Sequence, residues 1–115
     1  MIKLRVAVYI RVGANDPAMI ESQKRRVLSS VARHPGWEVT QTYTDIGGFK
    51  DTSLRPGLDK MMQDASEHLF DVLAASSITR LSRDEPAAQQ MVEHLKRNGI
   101  RIIFANELSR EEVVR

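Results

Sequence analysis

The chain of 115 residues is long enough for one domain with a buried core, and its shares of hydrophobic (42%) and charged (28%) residues are those of a globular protein. It has no cysteine, which excludes disulfide bonds and thiolate chemistry, and no apolar run reaches the roughly 18–20 residues of a membrane span. The net charge of +2 is compatible with a nucleic-acid partner but does not indicate one. No signal peptide is recognisable, so we expect a cytoplasmic location.

Apolar runs and helical periodicities alternate in the first half of the chain. The run "LRVAVYI" predicts a buried strand, and Asp16 followed by Pro17 predicts the start of a helix that ends at the "HPG" of residues 34–36. The alternating run "WEVTQTY" predicts a second strand, and residues 45–57 predict a loop that contains glycines.

The second half continues this alternation. An amphipathic helix is predicted by apolar residues at helical spacing, which are Leu58, Met61, Met62, Ala65 and Leu69. The run "FDVLAAS" predicts a third strand, and a third helix around residues 88–95 ends at the C-cap signal Asn98-Gly99. The run "IRIIFA" predicts a fourth strand.

The order of these elements predicts the fold class. Strands that alternate with helices form a mainly parallel sheet, because right-handed crossovers place the helices on its faces. We therefore expect a single α/β domain over residues 1–106, with four or five strands and helices on both faces, and residues 107–115 as the start of a truncated C-terminal helix. Ligands of such sheets bind beyond the carboxyl ends of the strands.

Four arginines follow predicted strand ends: Arg11 after the first strand, Arg55 after the second, and Arg80 and Arg83 after the third. Guanidinium groups match phosphate oxygens and remain charged, so such a cluster suits a phosphodiester and the additional charge of a five-coordinate phosphoryl transition state. The alternative is that these arginines are solvated loop residues in weak surface ion pairs.

Five short motifs occur in an order that is typical of one family. They read "Y-x-R-V", "I-E-S-Q", "Y-x-D-x-G", "R-P-G-L" and "T-R-L-S-R" and lie between residues 4 and 107. With these motifs the chain resembles the catalytic domain of serine site-specific recombinases, the resolvase and invertase group. The resemblance implies a domain that cuts and rejoins DNA, through a serine hydroxyl that attacks a DNA phosphate and becomes linked to the 5′ phosphate.

The same resemblance implies the partners and cofactors. DNA is the expected substrate, and the resemblance also implies self-association, as a dimer or tetramer of the full-length protein. No nucleotide cofactor is expected, because the phosphoserine linkage conserves the energy of the broken bond, and no metal is expected either.

The family's nucleophilic serine corresponds to Gly13 in this chain. Glycine has no side-chain oxygen and cannot attack phosphorus, so we expect the domain to be inactive as it stands. The alternative interpretation is that Gly13 supplies an unusual φ in the turn. Another hydroxyl, on Ser22, Ser76, Ser77 or Ser82, would act only if it lay about 3–3.5 Å from phosphorus with in-line geometry.

The arginines take their roles from the resemblance, position by position. Arg11 corresponds to an arginine that contacts the scissile phosphate. Arg55 corresponds to a further active-site arginine, and Arg80 and Arg83 correspond to the two arginines that bracket the phosphate.

At three further positions the correspondence with the family is ambiguous or broken. Gln23 corresponds to a polar active-site residue, with an exposed helix glutamine as the alternative, and Asp45 corresponds to an active-site aspartate, with a loop cap as the alternative. Thr79 stands where the family usually has an aspartate, so general acid–base catalysis is not expected there. The segment "GGFKD", which starts at Gly47, replaces the usual serine-glycine pair, and together these departures indicate a degenerate active site.

Two other functions stay open from the sequence. The first is a non-catalytic recombinase-like module for subunit association or DNA-backbone binding. The second is a small-molecule or phosphoacceptor domain of flavodoxin-like or response-regulator-like topology. The second is disfavoured, because the sequence has neither a Walker-type loop nor an acidic cluster after the first strand.

Overall fold

A computed structural model of the chain describes residues 3–47 and 55–106. Within these residues, four strands form one fully parallel sheet: β1 (Leu4–Val12), β2 (Trp37–Ile46), β3 (Val72–Ala75) and β4 (Arg101–Phe104). Their order across the sheet is β2-β1-β3-β4. The predicted α/β class and the mainly parallel sheet are therefore confirmed.

Helices connect the strands and begin and end where local chemistry favours it. They are α1 (Pro17–Ala32), α2 (Pro56–Ser66) and α3 (Glu85–Arg97), and one turn of 3-10 helix at Ile78–Arg80 follows β3. The Asp16 carboxylate accepts a hydrogen bond from the Ala18 amide at 3.0 Å, which confirms the predicted N-cap of α1. After α3, Gly99 adopts a φ of +79°, the left-handed conformation expected of a glycine just beyond a helix end.

The two faces of the sheet are covered by different helices. Alternate residues of β1 point to opposite faces, so Ala7 and Tyr9 join one apolar cluster while Val6 and Val8 join the other. The first cluster contains buried residues of α2 and α3, and the second contains Val27 and other residues of α1. Helices therefore lie on both faces of the sheet, as predicted.

The strand order creates a crevice between β1 and β3. The chain leaves β1 towards β2 on one side and then returns to place β3 on the other side of β1. Open parallel sheets bind ligands outside the carboxyl ends of the strands at such a switch point. The carboxyl end of β1 carries Arg11, and the turn after β3 carries Arg80. The topology thus brings these two side chains to the same crevice.

The structure corrects the prediction at the end of α2. The helix ends at Ser66, whereas the periodicity of apolar residues predicts a helix that includes Leu69. His68 adopts a φ of +58°, so the chain leaves the helical path before Leu69, whose side chain is 42% exposed. The third strand is also shorter than its apolar run: Val72–Ala75 pair with β4, and the pairing with β1 ends at Ala74.

Two further predictions concern segments that lie wholly or partly outside the described residues. The predicted start of a C-terminal helix, residues 107–115, lies outside them and remains a prediction. The predicted loop over residues 45–57 is too long, because β2 extends to Ile46 and α2 begins at Pro56, and its segment 48–54 also lies outside the described residues. In the part of the chain that the structure describes, no helix combines the length and apolar character needed to cross a membrane.

Candidate functional site

The Asp45 carboxylate, at the end of β2, is buried and accepts three hydrogen bonds. The Tyr9 hydroxyl donates to it at 2.5 Å, the Gly57 amide at 2.7 Å and the Leu58 amide at 2.9 Å. The two amides belong to the first turn of α2, whose own N-cap residue, Arg55, offers no side-chain cap. Asp45 therefore caps α2 from a neighbouring strand and places a negative charge at the positive end of the helix.

Gly57 permits this close approach. A Cβ atom at this position would lie 2.9 Å from an Asp45 carboxylate oxygen and 3.1 Å from the Thr44 carbonyl oxygen. Both distances are shorter than ordinary van der Waals contacts, so any larger residue would push the carboxylate away from the helix. The glycine of the "R-P-G-L" motif is thus explained by packing.

Arg55 connects the start of α2 to the turn after β3. Its guanidinium donates to the Tyr9 hydroxyl at 2.8 Å, to the Arg80 carbonyl oxygen at 2.5 Å and to the Leu81 carbonyl oxygen. The same group lies 5.6 Å from the centre of the Tyr9 ring. Arg55 therefore holds the backbone that carries Arg80, in addition to adding a positive charge.

The backbone at the end of β1 is held from two sides. The Gln23 side chain, from α1, accepts from the Arg11 amide at 3.2 Å and donates to the Arg11 carbonyl oxygen at 3.1 Å. The Arg80 guanidinium donates to the same carbonyl at 3.1 Å and to the Ser76 hydroxyl at 3.1 Å. Gln23 is buried, so the alternative of an exposed helix glutamine is wrong.

The arginines lie close enough to repel one another. Burial lowers the pKa of Arg11 below its ordinary value, and the charges of Arg55 and Arg83 lower it further, while Tyr9 and Asp45 act in the opposite direction. Burial also lowers the pKa of Arg80, and the charges of Arg26 and Arg83 add to this effect. Arginine stays protonated despite such shifts, so the site concentrates positive charge that a bound anion would neutralise.

Gly13 is exposed and directly follows β1. The described glycines with positive φ are Gly36, Gly47 and Gly99, so the backbone at Gly13 does not require a glycine. The alternative that this residue supplies an unusual φ is therefore wrong.

Two more of the predicted site residues lie in or beside the turn after β3. Arg83 is exposed, and its positive charge lowers the pKa of both Arg11 and Arg80. Thr79 is exposed, and its hydroxyl shares a 2.6 Å hydrogen bond with the Ser77 hydroxyl. All eight residues proposed from the sequence thus lie at the carboxyl edge of the sheet or in the elements that border it.

Sequence reasoning missed the structural role of Tyr9. Its position within an apolar run indicates a buried side chain, and a buried hydroxyl needs a hydrogen-bond partner. This was the one signal in the sequence for its role. The register pairs Arg11 of β1 with Asp45 of β2, which brings Tyr9 within reach of the same carboxylate.

Among the described residues, no group of three or more acidic or histidine side chains is arranged to hold a metal ion.

Comparisons with known proteins place this geometry among related domains. The model of the family described as "Resolvase, N terminal domain" matches residues 6–113. The N-terminal catalytic domain of TP901-1 integrase is 32% identical, with a TM-score of 0.75, over 90% of this chain and 78% of that one. The C-terminal catalytic domain of ISC1926 TnpA, an IS607-like serine recombinase, is 25% identical, with a TM-score of 0.76, over 89% of this chain and 67% of that one.

A curated relative is much longer than this chain. The Bacillus subtilis (strain 168) protein named "Putative DNA recombinase" is 26% identical over 101 residues. The match covers 88% of this chain but only 20% of that protein. The chain therefore spans about a fifth of the length of this relative.

The contact between Gly57 and Asp45 predicts a specific loss of stability. Gly57→Ala should lower the free energy of unfolding by about 1–3 kcal/mol, because the added methyl group overpacks the capping carboxylate. Urea denaturation measures this change. The same substitution in an Asp45→Ala background should have a smaller effect, since the carboxylate is gone. An equal loss in both backgrounds would contradict the proposed contact.

The raised pKa values of the two tyrosines make stability depend on pH in the alkaline range. The chain has two, Tyr9 and Tyr43. Burial and hydrogen bonds to Asp45 and Asp64 raise the pKa of both above the ordinary value of about 10. Because the folded state holds these protons more tightly, this contribution to stability is complete below about pH 10 and is lost as the pH rises further.

Absorbance near 295 nm, which reports the phenolate, should therefore rise only above pH 10 in the folded chain. In a denaturant both tyrosines should titrate with a pKa of about 10. A phenolate signal at the ordinary pKa in a chain that remains folded would show that these hydrogen bonds do not form.

Proposed function

We propose that this chain, which belongs to the resolvase N-terminal domain family, binds a DNA phosphate through its arginine cluster and forms no covalent linkage to DNA as it stands. The arginine cluster consists of Arg11, Arg55, Arg80 and Arg83. The family match confirms the resemblance to serine recombinase catalytic domains that the sequence motifs predicted. The roles of individual residues in this chain belong to the proposal.

The observation that carries the proposal is the position of Arg11 and Arg80. Arg11 lies at the carboxyl end of β1 and Arg80 in the turn after the adjacent β3, at the switch point of the sheet, and the Arg80 guanidinium donates to the Arg11 carbonyl oxygen. Arg80 also lines a cavity of about 310 Å³ together with Gln23 and Ser22. A phosphate in this crevice would relieve the repulsion between the guanidinium groups and accept their hydrogen bonds.

The chemistry of the family requires an attacking oxygen that Gly13 lacks. Charge stabilisation by arginines lowers the barrier to phosphoryl transfer only when a nucleophile is in line with the scissile bond. Among the other hydroxyls, that of Ser76 accepts from Arg80, and those of Ser77 and Thr79 bond to each other. Ser22 shares the cavity with Arg80 and is the first alternative to examine.

General acid–base catalysis also has little support in this chain. Asp45 is buried and uses both carboxylate oxygens to cap α2 and to bind Tyr9, so it is a structural residue. Thr79 carries no charge that would hold or release a proton at neutral pH. DNA therefore binds at this site without being cut.

A second candidate function follows from the same two departures. Gly13 stands where the family has its nucleophile, and Thr79 stands where the family usually has an aspartate. With these residues the domain serves as a recombinase-like module that associates with DNA and with further copies of itself. This function needs the arginine cluster but no restored nucleophile. Either function places the protein in the cytoplasm with its DNA.

Restoring the oxygen distinguishes the two functions. The chain is joined to a sequence-specific DNA-binding domain and incubated with a duplex that carries two copies of that domain's site around a randomised centre. Gly13→Ser should yield a protein–DNA adduct that survives denaturation and disappears on protease digestion, because it restores an attacking oxygen beside the arginine cluster. The unchanged chain should yield none.

Gly13→Ala is the matched control, since it restricts the backbone in the same way but adds no oxygen, and it should yield no adduct. If Gly13→Ser folds and also yields none, the site is degraded beyond one residue and the module function is favoured. An adduct from the unchanged chain would contradict the proposal, and peptide mapping would then begin with Ser22.

A further inference from the structure

A positively charged groove continues from the arginine cluster along α1. Arg26 lines the cavity of about 310 Å³ that also contains Arg80, Gln23 and Ser22. It also lines a second cavity of about 280 Å³ with Ser29, Ser30, Arg33, Ala105 and Asn106. Arg26 thus lines both cavities, and the first of them also contains Arg80 of the arginine cluster.

The groove follows one face of the helix. The face consists of Ser22, Arg26 and Ser29 of α1 and the C-cap residue Arg33. They are separated by four, three and four residues, the spacing at which side chains of an α-helix lie above one another. At 1.5 Å per residue, Arg26 and Arg33 are about 10.5 Å apart along the helix axis. That distance corresponds to about three base-pair steps measured along the axis of a DNA duplex, at roughly 3.4 Å each.

No described residue that lines either cavity is acidic. The helix neighbours of Arg26 at three and four residues in both directions are serines and a glutamine. Glu21, the acidic residue within α1, lies about 140° around the helix from Arg26. The positive charge of Arg26 also contributes to the lowered pKa of Arg80, so the groove and the cluster share one electrostatic field.

We propose that this groove, formed by Ser22, Arg26, Ser29 and Arg33, binds the sugar-phosphate backbone of the DNA whose phosphate occupies the arginine cluster. The inference rests on the proposed function, because it extends the path of the same DNA. Two arginines spaced along the helix can contact two separate phosphates of a linear polyanion. The serine hydroxyls of the groove can donate hydrogen bonds to further phosphate oxygens. Contacts of this kind hold the strand in register and are independent of base sequence.

The test compares how salt weakens binding. Fluorescence anisotropy of a labelled duplex of about 20 base pairs, titrated with the chain at several salt concentrations, gives the slope of log K against log salt. That slope falls by about 0.9 for each phosphate contact that is lost. Arg26→Gln should reduce it by about this amount and weaken binding about threefold to tenfold at low salt. The double variant Arg26→Gln/Arg33→Gln should reduce it by about 1.8.

Arg97→Gln is the matched control, because Arg97 is an exposed arginine on α3, across the sheet from α1. It should leave the slope unchanged. Arg80→Gln reports on the arginine cluster and should lower the slope independently of the groove. Thermal unfolding of each variant confirms that it is folded.

Different outcomes separate the two proposals. If Arg80→Gln lowers the slope while the Arg26 and Arg33 variants match the unchanged chain, the cluster binds DNA and the groove does not. If Arg97→Gln has the same effect as Arg26→Gln, net charge explains the binding and the groove is overturned. If the unchanged chain shows no salt-dependent binding, the proposed function fails and the groove fails with it.

Discussion

The buried Asp45 carboxylate joins elements that are far apart in the sequence. A buried anion is unstable unless hydrogen bonds replace the water it loses, and here the Tyr9 hydroxyl and two amides of α2 do so. The requirement explains its surroundings, since Gly57 must lack a Cβ for the amides to reach the carboxylate. The same Tyr9 hydroxyl accepts from Arg55, so a cation stands one hydrogen bond away from the anion.

The arrangement of the arginine cluster depends on this framework. Arg55 reaches from the start of α2 to the backbone of the turn that carries Arg80, and Gln23 fixes the backbone of Arg11. Guanidinium groups that repel one another would separate if they stood on mobile segments. Because strand ends and buried hydrogen bonds hold their backbones, the repulsion is retained and favours an anion. The arrangement of arginines to which we assign phosphate binding is thus fixed by the packing, and none of the contacts that hold it involves Gly13.

The sequence predicted the order and type of the elements because these depend on local patterns. Hydrophobic periodicity, the N-cap at Asp16 and the glycine after α3 each act within a few residues. The apolar stripe of α2 was extended too far, to Leu69, because periodicity does not register the left-handed turn at His68. The motifs located the arginines, but for Asp45 they left open an active-site role and a cap of the loop, and neither anticipates its cap on α2. It depends on a contact between residues 36 positions apart, Tyr9 and Asp45, which no local pattern contains.

The central claim is that a DNA phosphate binds where β1 and the turn after β3 meet. Titration of the ¹⁵N-labelled chain with a short duplex at low salt, followed by the chemical shifts of its backbone amides, tests this claim most directly. We expect the largest changes at Arg11, Gly13, Gln23 and Arg80. Changes centred on the amino ends of the strands, near Arg5 and Trp37, with none at Arg11 or Arg80, would contradict it.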